Sequence, residues 1–102
     1  MNSQPVPVQA EEKSEEKPLA YVKAFPLKEY GDLEKIKNEL RAGNVLIVKL
    51  TPLAISNIEA VKDAIAELKA FAEAIGGDIA RLGEERIVLT PPTIRIWRKK
   101  AQ

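Results

Sequence analysis

"AIGGDIARLGEERIVLTPP", residues 74–92, decides the reading of the fold. It opens as the end of a helix and passes the glycine pair Gly76-Gly77. It then reads as two short apolar strands around Gly83 and stops at Pro91-Pro92. Asp78 to Leu82 and Arg86 to Thr90 are the expected strands. Gly83-Glu84-Glu85 joins them, and a three-residue connection with glycine fits a hairpin turn with a local bulge. Gly76 or Gly77 can take a left-handed conformation at little cost and so stop the helix. The stretch offers backbone control and apolar strand faces without histidine or cysteine, which points to a binding surface rather than a catalytic loop.

Upstream, "TPLAISNIEAVKDAIAELKAFAEAIG" predicts one long helix. Thr51 with Pro52 suits a capped start, and Ser56 offers a later one. Ile58, Val61, Ile65, Leu68, Ala72 and Ile75 form a stripe at steps of three and four, with Glu59, Lys62, Asp63, Glu67, Lys69 and Glu73 on the outer face. Before it, Val45 to Val48 reads "VLIV" without alternation, as a strand buried on both faces does. A shorter helix precedes that strand, with Asp32 as its expected N-cap, Leu33, Ile36 and Leu40 at helical spacing, and Gly43 as its stop. "LAYVKAFPL", from Leu19 to Leu27, predicts the first strand. Downstream, "TIRIWRKK" alternates strictly and predicts a last, outer strand. The order is β-α-β-α-β-β-β: a two-layer α/β sandwich whose mixed sheet has about five strands, with two helices on one face. Residues 1–18, with three prolines and two glutamate pairs, are expected to be a disordered polar tail. Residues 19–98 form the domain, and 99–102 a basic C-terminal tail.

Composition excludes whole classes of function. The chain has 102 residues, one domain in length, with 45% hydrophobic residues and a net charge of +1. That balance gives no strong field for nucleic acid. Without cysteine or histidine there is no thiol nucleophile and no thiolate or imidazole metal ligand; no cofactor or metal is expected. Enzymatic activity is the least favoured class, for want of a nucleophile–base pair. No apolar run of about 18 residues predicts a membrane span.

Several local features have a plain reading beside a functional one. Gly76-Gly77-Asp78 follows a helix and precedes a strand, the reverse of a phosphate loop, so a helix stop is the better account. Glu84 and Glu85 sit on a hairpin tip and read as solvated turn residues. Arg95, Arg98, Lys99 and Lys100 around Trp97 read as edge-strand charges that block aggregation. Arg81 is more open. By alternation it shares a face with Ile79, Ile87 and Leu89. It is either a surface arginine laid over apolar neighbours or an anchor for an acidic or C-terminal peptide beside an apolar groove. Two helices leave one apolar sheet face bare, and a symmetric dimer is the economical cover for it.

The pattern Gly76, Gly77, Asp78, Ile79, Arg81, Leu82, Gly83, Ile87, Val88, Leu89, Thr90 and Pro91 resembles the signature region of the SepF family of cell-division proteins, which has an archaeal branch. "VLIVKLTPLAISNIEAVKDAIAELKAFAEAIG" resembles the family's buried strand and long helix, and the likeness spans about Leu19 to Trp97. It implies a dimeric α/β sandwich, able to assemble further, that binds the C-terminal peptide of the tubulin-like FtsZ. Such a protein tethers FtsZ to the membrane, in the cytoplasm at the division site. The implied peptide site is Arg81 and Ile87, with Ile79 and Leu89 beside them. Two departures stand out. Ile87 is aliphatic where bacterial members tend to have phenylalanine. "MNSQPVPVQA" is also unlike the amphipathic membrane-targeting helix with which members begin, so membrane contact is expected only through a helix not evident in this sequence. The competing reading is a regulatory domain that binds a small ligand at a dimer interface.

Overall fold

The computed structural model describes residues 17–99. The expected tails, 1–18 and 99–102, lie outside them apart from Lys17, Pro18 and Lys99. Four strands are present: β1 (Val22–Pro26), β2 (Val45–Lys49), β3 (Asp78–Leu82) and β4 (Arg86–Thr90). The sheet order is β1-β2-β4-β3, with β1 parallel to β2 and the other pairs antiparallel. β1 and β2 are joined through α1 (Asp32–Arg41), the crossover that parallel pairing requires. The two strands around Gly83 form as the sequence predicts, to the residue.

Three expectations need correction, the third being Asp32 as the N-cap of α1. The long helix is two elements, α2 (Thr51–Ser56) and α3 (Ile58–Ile75), so the described residues hold three helices. Asn57 interrupts them with extended backbone (φ −160°, ψ 93°), and its side-chain oxygen accepts the Ala60 N–H at 3.0 Å. That is an N-cap, and neither Thr51 nor Ser56 supplies it. The fifth strand is absent among the described residues, so the sheet has four. After Pro91-Pro92 the chain turns, with the Ile94 N–H on the Pro91 carbonyl at 3.1 Å. Its alternation is real, since Ile94 and Ile96 are half-buried while Arg95 and Trp97 are exposed. It pairs with neither edge strand, β1 nor β3, and Asp78 holds it instead.

The register assigns the faces. Leu46 pairs with Leu89 and Leu89 with Ile79; Val48 pairs with Ile87 and Ile87 with Arg81. This is the helix-covered face. Leu46, Val48, Ile87 and Leu89 join Leu33, Ile36 and Leu40 of α1 and Val61, Ala64, Leu68 and Ala72 of α3 in one core. Asp32 is inside α1 rather than its N-cap, which is Gly31. The Asp32 carboxylate accepts the Lys28 and Glu29 N–H groups at 3.0 and 3.1 Å and so fixes the loop that enters the helix. On the other face lie Val22, Ala24, Ile47, Ala80, Leu82 and Val88, and no helix covers them among the described residues.

Candidate functional site

Two cavities of about 260 Å³ each lie along the seam between α3 and the outer strand β3. One is lined by Ile65 and Lys69 of α3 and by Ile79, Arg81 and Ile87 of the hairpin. The other sits at the elbow between α2 and α3, among Leu50, Thr51, Ala54, Ile58 and Val61, and reaches Arg81, Glu84 and Glu85. Ile65 and Arg81 line both, so the cavities form one groove with Arg81 at its middle.

Local structure holds these residues in place. Gly83 has φ 76°, the left-handed backbone that a tight hairpin needs. The turn brings the Glu84 carbonyl to Arg81, whose guanidinium donates to it at 3.0 Å. The Leu50 N–H donates to the Glu85 carbonyl at 2.7 Å, which ties the hairpin tip to the start of α2. At the other end of β3, Gly76 closes α3 with φ 80°.

Asp78 begins β3 and carries the clearest electrostatic perturbation. Both its oxygens take the Arg98 guanidinium, at 3.0 and 3.2 Å, and one also takes the Ile96 N–H at 3.0 Å. Arg98 donates to the Ile79 carbonyl as well, at 2.8 Å. These donors, Arg98 foremost, hold the Asp78 carboxyl down to about 2 against the opposing effect of its partial burial. The result is a clasp that fastens residues 94–98 to β3. Among the described residues no group of three or more carboxylates could hold a metal. No helix there is long and apolar enough to cross a membrane.

The structure brings Arg81, Ile79 and Ile87 to one groove. Arg81 is exposed and Ile79 half-buried, whereas Ile87 is only 1% exposed and contributes floor rather than wall. Leu89 is fully buried and lines neither cavity; it is core. Sequence reasoning missed the helical wall. Ile58, Lys62, Ile65 and Lys69 follow one another at steps of four, three and four, a mixed stripe beside the buried one of Val61, Ala64, Leu68 and Ala72. That spacing was the available signal.

A four-stranded sheet under three helices, with a groove at one edge, defines a small two-layer α/β domain. The family model "Cell division protein SepF" matches residues 22–96. The chain belongs to that family. It is 33% identical over 69 residues to the cell division protein SepF of Haloferax volcanii, an alignment covering 68% of this chain and 58% of that protein. The chain therefore spans little more than half the length of that relative. A SepF-like protein from Pyrococcus furiosus has the same fold at TM-score 0.73 and 33% identity, over 80% of this chain and 99% of that one. At 18% identity, SepF from Methanobrevibacter smithii in complex with FtsZ-CTD shares the fold at TM-score 0.69, over 78% of this chain and 99% of that one.

Proposed function

We propose that this domain is a cell-division adaptor that holds the C-terminal peptide of FtsZ in the groove between α3 and β3. The observation that carries the reading is the position of Arg81, exposed at the middle of an apolar groove and lining both of its cavities. A guanidinium there can take a peptide carboxylate while Ile79 and Ile65 receive apolar side chains. Lys62 and Lys69 add positive charge along the helical wall. The Methanobrevibacter smithii relative, described in complex with FtsZ-CTD, supports the choice of partner. Membership of a cell-division family argues for a scaffold rather than an enzyme.

Two further parts belong to the same reading. The helix-free sheet face is the surface on which two copies pair. Tethering of the division ring to the inner face of the membrane belongs to the same proposal, through a membrane-targeting helix not evident in this sequence. The test is isothermal titration of the wild type and Arg81→Glu with the FtsZ C-terminal peptide, alongside circular dichroism. Charge reversal at this contact is expected to weaken binding by more than tenfold, about 1.4 kcal/mol, with the fold intact. Equal affinities would place the partner elsewhere.

A further inference from the structure

We infer that the elbow cavity is a second anchor pocket, and that one bound peptide fills both cavities with two apolar side chains that flank an acidic residue at Arg81. The inference rests on the peptide reading above and extends it to the sequence class of the partner.

The argument starts from continuity. Two cavities of equal size share Ile65 and Arg81, so a segment lying along α3 meets both in succession. The walls of the elbow cavity are apolar: Leu50, Ala54, Ile58 and Val61. Ile58 is 54% exposed at the first turn of α3, although a branched side chain there could have been polar at no cost to the core. Nothing inside the described residues fills the space. The pocket is also braced, since the Leu50 bond to the hairpin tip and the Asn57 cap fix both sides of the elbow.

Polar groups complete the specification. Thr51 lines the elbow cavity, and its hydroxyl is buried without a hydrogen-bond partner among the described residues. Threonine in a helix has two accessible side-chain rotamers, so this hydroxyl is able to turn. An unsatisfied hydroxyl gains from that turn when a peptide carbonyl arrives. The charges are distributed along the groove: Lys69 in the first cavity, Arg81 in both, and Lys62, Glu84 and Glu85 in the elbow cavity, the two acids at the hairpin tip. A carboxylate is therefore welcome beside Arg81 and disfavoured at the hairpin tip, where Glu84 and Glu85 stand. An apolar–acidic–apolar segment, with no acid at the hairpin tip, matches this distribution.

The experiment is an alanine scan of the FtsZ C-terminal peptide, titrated into the full unmodified chain and into Ala54→Trp, a change that fills the elbow cavity. Two apolar peptide positions on either side of one acid are expected each to cost more than tenfold. Ala54→Trp is expected to lower affinity by a similar factor, and to make one of those two alanine substitutions nearly silent. A scan with only one costly apolar position overturns the inference, as does an Ala54→Trp variant that binds like wild type. Where Ala54→Trp fails to fold, Ile58→Asp, a change at the exposed wall of the elbow cavity, takes its place with the same expected loss, and wild-type affinity there overturns the inference. If the peptide does not bind the unmodified chain at all, the peptide reading falls and the second pocket with it. If Arg81→Glu abolishes binding while the elbow anchor proves absent, only the second pocket falls.

Discussion

At Gly77 an added Cβ would stand 2.2 Å from the Thr90 carbonyl oxygen, so the backbone of the helix stop packs against the end of β4 with no space for a side chain. The next residue, Asp78, uses that closeness to clasp Arg98. Its carboxyl titrates near 2 in the folded chain against an ordinary 3.8. A depressed folded value means that the stabilisation is fully present above about pH 4 and is lost as pH falls toward 2. Asp78→Asn should cost about 1–2 kcal/mol at neutral pH, because charged hydrogen bonds are replaced by neutral ones. Its stability should also change less than the wild type's between about pH 4 and 2, which urea denaturation at both values would show. Arg81, Ile79 and Ile87 were legible in the sequence as one strand face. Their depths were not, because alternation assigns a side and says nothing of how far the covering helix extends. Leu89 lies beneath the helical layer, Ile87 at its margin and Arg81 beyond it.

Among the elements, the hairpin was fully legible because glycine turns and apolar runs are local signals. The break at Asn57 was not, since Thr51, Pro52 and Ser56 offered stronger starts in an unbroken helical pattern. Asn57 acts by accepting the Ala60 N–H, a choice that only the folded elbow reveals. Asn57→Ala should cost about 1 kcal/mol of stability, the usual worth of an N-cap, read from thermal or chemical unfolding. In addition, it should loosen the elbow wall at Ile58 and Ile65. The missing fifth strand has the opposite cause. Its alternating pattern was read correctly, yet a strand exists only by pairing, and the Ile96 N–H spends its hydrogen bond on the Asp78 side chain.

Over the whole molecule, the unresolved demand is the helix-free face. Ile47 and Val88 lie at its centre as register partners, with Val22 67% exposed and Leu82 47% exposed toward its margins. Apolar surface of this kind is worth about 25 cal/mol per Å² when buried, a strong drive to association. The unalternated "VLIV" had already signalled two apolar faces from the sequence. Sedimentation at micromolar concentration is expected to report twice the chain mass of 11.3 kDa, and Ile47→Lys, which places a charge at the centre of the face, a monomer. A monomeric wild type would mean that the face is left open to solvent.

The clasp has an optical consequence. Trp97, the chain's single tryptophan, precedes Arg98 and is 83% exposed. Its indole already faces water in the native state, so unfolding alters the colour of its emission very little. A body settling over the start of β3 dries the ring, shifts its light toward the blue and shields it from dissolved quenchers. The molecule thus carries a built-in lamp that is nearly blind to melting and responsive to contact.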